Sequence, residues 1–168
     1  PALNWGMVGD GGAFESLMHA ILYAEDPATI LFGRPGKDAG QDARSADGTV
    51  VYQAKYRQNM VVDGAMDLAL EELDRIKSYR QPDHANHTHW KDATRWILVA
   101  NFAINQNVHT EWQAKVIPAF QKEGLLAEYW SITTLEGKLA EHPEVRDVFF
   151  GGENRVLVGL ISRLTENP

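Results

Sequence analysis

The chain has 168 residues and a mass of 18.8 kDa, with 44% hydrophobic and 23% charged residues and no cysteine. That is the size and make-up of one soluble globular domain, and it excludes a disulfide scaffold, a thiolate zinc site, an iron–sulfur cluster and a cysteine nucleophile. The net charge of −7 argues against a general polyanion binder, yet residues 34–57 carry five bases (Arg34, Lys37, Arg44, Lys55, Arg57) against three acids (Asp38, Asp42, Asp47), a strip of +2 on a remainder of −9.

A first helix is expected over residues 12–24, where Phe14, Leu17, Met18, Ile21 and Leu22 repeat on one face until Pro27. A short strand is expected over 29–32. The pair Asp47-Gly48 between residues 41–45 and the Val- and Tyr-rich run 49–56 is a hairpin signal. A second helix fits Gly64–Tyr79, with Asp63 as N-cap and Met66, Leu70, Leu73 and Ile76 or Lys77 along one side. Residues 81–92 read as a polar loop, 96–100 as a buried strand, 111–122 as a helix disturbed by Pro118, 128–132 as a strand and 134–140 as a helix before Pro143. The apolar tail 155–164 fits helix or strand. Its stretch 156–161, the longest aliphatic run, is too short to span a bilayer. No basic and apolar leader pattern opens the chain. With no cysteine and no span, a cytoplasmic location is expected. The alternation of helices and strands predicts an α/β domain with a mixed central sheet covered by helices.

The hairpin carries the chemistry. Strand residues two apart share a face, so Gln53 and Lys55 point the same way, and Asp42 on the partner strand can face them. A carboxylate, an amide oxygen and an ammonium at one point suit metal-assisted phosphodiester hydrolysis. Asp42 would hold a hard divalent cation such as Mg²⁺, with Mn²⁺ as a substitute, and the carbonyl oxygens of Gln53 and of the Ala54 backbone would complete its shell. Lys55 would orient or deprotonate the attacking water or stabilise charge on the phosphate.

Asp38-Ala39-Gly40-Gln41-Asp42 followed by Gln53-Ala54-Lys55 resembles the PD-(D/E)xK nuclease superfamily. The nearest subset is the Mrr-like and Cap4-like branch, where a glutamine often replaces the acid and the motif reads D…QxK. The resemblance spans residues 13–132 and implies a restriction-endonuclease-like αβββαβ core, followed by a C-terminal extension over 133–168, all in one nuclease domain. It implies a glutamate on the first helix assisting the metal, and Glu15 is the matching position. It further implies a magnesium-dependent endonuclease acting on double-stranded DNA in bacterial restriction or antiphage defence. Such a domain would be the effector of a longer protein whose sensor or NTPase parts regulate it. The uncharged Gln53 departs from the acidic form of the motif and leaves the cation one anion fewer. The residues leave open both cleavage of RNA and a catalytically silent module that only binds DNA or a protein partner. The low positive charge predicts weak DNA binding by a lone copy and activity as a homo-oligomer. From the strand pattern, Asp42→Ala and Lys55→Ala abolish cleavage with little effect on stability, and Gln53→Glu keeps activity.

Other features have plainer readings. Asp38 suits a turn. His84, His87 and His89 have metal-ligand character, but no cysteine accompanies them and a polar loop suffices. The tryptophans are core candidates. Tyr56 and Arg57, just past the motif, could contact a nucleic-acid backbone, but a strand end often carries such residues anyway. Gly9, Gly11 and Gly12 lack the Lys-Ser/Thr that a phosphate loop requires.

Overall fold

Asp10 starts the first helix: its carboxylate accepts the Ala13 N–H at 2.7 Å and caps α1 (Gly11–Glu25). The structure, a computed structural model, describes residues 3–33, 40–58 and 64–151. Asp38, Arg34, Lys37, the expected N-cap Asp63 and the tail 155–164 lie outside the described residues.

Among the described residues five strands form one mixed sheet in chain order: β1 (Ile30–Leu31), β2 (Ala43–Arg44), β3 (Val50–Lys55), β4 (Arg95–Ala100) and β5 (Leu126–Trp130). β1, β2 and β3 pair antiparallel, and β3, β4 and β5 pair parallel. The chain is therefore α/β. The β2–β3 turn follows from its residues. Asp47 accepts the Ser45 hydroxyl at 2.7 Å and the Thr49 N–H and hydroxyl at 3.0 and 2.8 Å, while Gly48 takes the positive φ of +77° that a Cβ would oppose. These donors hold the Asp47 carboxyl well below the usual range, at about 2.

The interior strand β4 divides the core. Trp96, Leu98 and Ala100 of β4 join one cluster with α2 (Gly64–Tyr79), and Ile97 and Val99 join the other with α1. Burial on both faces explains why the strand reads as an unbroken apolar run. The first cluster continues through α4 (Gln106–Glu111), a π-helical turn (Trp112–Val116) and α5 (Ile117–Gln121), with Trp96 stacked on Phe120 at 4.9 Å. The second is closed by α6 (Ile132–Glu141) and α7 (Pro143–Phe150). Among the described residues no helix is long and apolar enough to cross a membrane.

Several expectations shift. The segment 81–92 is not all loop: α3 (His87–Trp90) buries Trp90 completely. The helix expected over 111–122 starts at Gln106, and its disturbance precedes Pro118. Ile117 N–H reaches back to the Trp112 carbonyl, five residues earlier, which relaxes the turn where the proline ring would otherwise crowd it. β5 begins at Leu126 and Ile132 already belongs to α6, because Ser131 and Thr134 form a capping box there. Pro143 opens α7 rather than marking only an end. The buried side of α2 is Ala65, Leu68, Ala69, Glu72, Leu73 and Ile76. Met66 and Leu70 are half-buried and Lys77 is exposed. The stripe thus includes a carboxylate.

Candidate active site

β2 begins at a distortion that aims Asp42. The Asp42 N–H donates to the Tyr52 carbonyl at 3.0 Å, although Ala43 is the register partner of Tyr52. Two consecutive residues facing one is the arrangement of a β-bulge, which bends a strand end and redirects its side chain. The carboxylate meets β3: Oδ2 accepts the Ala54 N–H at 2.7 Å. In a strand the N–H and C=O of one residue address the same neighbour, so the Ala54 carbonyl faces the Asp42 side as well.

From α1, His19 and Glu15 approach the same place. His19 Nε2 lies 2.9 Å from the Asp42 carbonyl; a carbonyl only accepts, so Nε2 carries the proton. Glu15 Oε1 is 3.7 Å from that nitrogen, one helical turn away. Phe32 N–H donates to the Asp42 carbonyl too, at 3.0 Å. Phe14, Met18 and Leu22 bury the apolar side of α1 and leave Glu15 and His19 half-buried at its border.

Gln53 and Lys55 share the face toward α2, as their spacing predicts, and meet residues that the strand pattern does not reveal. Gln53 is 5% exposed, and its Oε1 accepts the Trp96 indole N–H at 3.1 Å. Lys55 Nζ lies 2.8 Å from Oε1 of Glu72, a carboxylate 3% exposed, and Arg75 Nη1 bonds the same oxygen. Burial pushes the Glu72 carboxyl up. Hydrogen bonds from Lys55 and Gln53, with the charges of Lys55 and Arg75, overcome this and hold it below the usual carboxylate range. The network is Trp96–Gln53–Glu72–Lys55, closed by Arg75.

The site thus brings Asp42 onto the backbone of Ala54, brings Glu15 within one histidine of it, and places Lys55 on the next residue. Gln53 Oε1 is engaged by Trp96 rather than presented outward. Glu72, Arg75, His19 and Trp96 were missed in the sequence. The signal for Glu72 was present, since Leu68, Glu72 and Ile76 recur every four residues and put a carboxylate inside an apolar stripe.

Among the described residues no group of three or more His, Asp and Glu side chains is placed to hold a metal ion. Magnesium, however, is held by one or two carboxylates while water and substrate phosphate complete its shell. Asp42, Glu15 and the Ala54 carbonyl are an all-oxygen set of that kind, and on donor chemistry they fit. Two of the three histidines of 84–89 are bonded separately: His84 Nδ1 accepts the Asn86 N–H at 3.0 Å, and His87 Nδ1 donates to the Arg80 carbonyl at 3.1 Å. Tyr56 packs beside Phe14, ring centroids 6.1 Å apart, and Arg57 is tied through its backbone N–H to Asn101 at 2.9 Å. Trp90, Trp96 and Trp112 are buried core residues, while Trp5 and Trp130 are half-buried. Gly11 and Gly12 open α1. Compared with known proteins, the chain matches no family model, no curated protein and no solved structure.

Proposed function

We propose that this chain is a metal-dependent endonuclease of the PD-(D/E)xK type, with a restriction-endonuclease-like core, hydrolysing phosphodiester bonds of double-stranded DNA. The observation that carries it is the Asp42 carboxylate docked on the backbone N–H of Ala54, the residue between Gln53 and Lys55. Asp42, Glu15 and the Ala54 carbonyl would hold Mg²⁺ or Mn²⁺. When bound, the cation would neutralise phosphate charge and make a coordinated water more acidic.

The remaining work falls to the chain's own groups. Lys55, 21% exposed at the end of β3, would donate to a phosphate oxygen or orient the attacking water. Glu72 positions Lys55 by ion pairing, and Gln53 positions Glu72. On this reading Gln53 acts through its amide N–H rather than as an outward ligand. His19 holds the Asp42 backbone, which steadies the carboxylate. The few cations near the site accord with weak binding by one copy and with clustering, through other parts of a longer protein, as the route to full activity in bacterial restriction or antiphage defence in the cytoplasm.

A second reading has its own observation. Lys55 is ion-paired and Gln53 Oε1 is bonded within the core, as they would be in a silent nuclease fold that only binds DNA or a partner. Plasmid DNA incubated with the protein and Mg²⁺, with chelator and Asp42→Ala controls, separates the two. Nicking that requires both metal and Asp42 supports the nuclease. Absence of nicking, or nicking that persists in Asp42→Ala, overturns it.

A further inference from the structure

Beyond the site at β3 lies a crevice of about 540 Å³ between the carboxyl ends of the parallel strands β4 and β5. Ile104, Asn105, Gln106 and His109 line one side, and Tyr129 and Thr133 the other. In open α/β sheets the region outside the carboxyl ends of parallel strands is where ligands recur. We propose that this crevice receives a nucleobase of the strand held at β3, next to the phosphate addressed by Lys55. The inference rests on the nuclease reading and adds a base-binding subsite to it.

Three observations select a base. First, the lining contains no Asp, Glu, Lys or Arg, so a phosphate or carboxylate has no charged partner there, whereas a neutral ring needs none. Second, the polar groups have the pattern that base edges need. His109 Nδ1 and the Tyr129 hydroxyl share a hydrogen bond of 2.7 Å. The side-chain amide of Gln106 has no partner among the described residues, and such an amide presents a donor and an acceptor side by side. The Tyr129 ring itself is anchored edge-on against Trp112 at 5.0 Å, so the wall is rigid. Burial pushes the Tyr129 hydroxyl above its ordinary range, so it stays protonated. Third, the placement fits a flanking nucleotide. Gln53, Leu98 and Tyr129 are consecutive register partners across β3, β4 and β5 and face the same side. Two strand spacings, about 10 Å, therefore separate the Gln53–Lys55 row from the crevice.

The test measures binding without metal, so it does not depend on cleavage. Fluorescent dT12 and a twelve-residue abasic strand are titrated with the chain and with His109→Ala and Thr133→Ala, both exposed positions whose loss leaves the core intact. His109→Ala is expected to weaken dT12 binding about 10-fold, the scale of one base contact, and to leave the abasic strand unchanged. Equal weakening of both strands, or of neither, overturns the proposal. Thymidine monophosphate competing as well as dT12, with the same dependence on His109, would overturn the strand as the source of the base. Loss of plasmid cleavage in the wild type, with the dT12 difference intact, would sink the nuclease reading and leave the subsite standing.

Discussion

Replacing Lys55 with methionine keeps the stem and removes the ammonium, which isolates the contribution of the ion pair to folding. Breaking a buried pair costs about 3–5 kcal/mol where nothing replaces the lost partner. Here Arg75 still bonds the same Glu72 oxygen, Gln53 still donates to the carboxylate, and Lys55 is itself 21% exposed. These discounts bring the expected loss to about 2 kcal/mol. For a chain of this length that is a fall of about 4–8 °C in the thermal midpoint. Circular dichroism at neutral pH, with Lys77→Met as an exposed control on α2, the helix that carries Glu72, measures it. The double variant with Glu72→Gln should lose less than the sum of the two single changes, because each removes the same pair. A midpoint for Lys55→Met equal to that of Lys77→Met would refute the reasoning. The strand pattern alone led to the opposite expectation, a lysine whose removal leaves stability nearly unchanged. The buried partner on α2 is what reverses it.

Asp42→Ala should abolish metal-dependent nicking of plasmid DNA and also cost about 1 kcal/mol in urea unfolding, since the Ala54 N–H loses its acceptor. Gln53→Glu should lower the midpoint at pH 7, because it sets a second carboxylate beside buried Glu72 and gives up an amide donor. The deficit should shrink toward pH 5 as the pair takes up a proton, and a pH-independent midpoint would contradict this. Glu72 and Asp47 both titrate below their unfolded values. Their stabilisation is complete above the ordinary carboxylate range and is lost as pH falls through the folded values, toward about 2 for Asp47. Asp47→Asn should therefore flatten the part of the stability–pH curve between about 4 and 2.

The parts of the fold that local chemistry determines were legible. α1, α2, β4 and the Asp47-Gly48 turn each carry their own period, cap or turn residue, and their observed bounds differ from the expected ones by a residue or two at most. What was not legible depends on residues far apart in the chain. Trp90 reads as part of a polar stretch because its neighbours are histidines and threonine; it is buried because it packs under Tyr79, rings 6.0 Å apart. Ile132 extends the apolar pattern of β5, yet the Ser131–Thr134 capping box turns the chain there. The site divides the same way. Gln53 and Lys55 share a face because of strand pleat, which sequence shows. The partners that hold them, Trp96 and Glu72, come from β4 and α2, and only the fold brings them near.

Arg75 bears on how one lysine can serve both folding and chemistry. A lysine that must move to a phosphate while its buried partner is left bare would pay the full cost of an isolated carboxylate. Glu72 is not left bare, because Arg75 bonds the same oxygen from a side chain that is 57% exposed and Gln53 donates to it from within. With two partners remaining, any turn of Lys55 toward substrate forfeits only its own share of the network, a loss that a charge-assisted bond to phosphate can offset. The same arithmetic makes Arg75 the residue that separates the two readings. In a silent fold, Arg75→Met lowers stability through Glu72 and leaves DNA binding unchanged. In the nuclease, it also ties Lys55 more firmly to Glu72 and slows cleavage at saturating Mg²⁺, an effect that Glu72→Gln in the same chain should relieve.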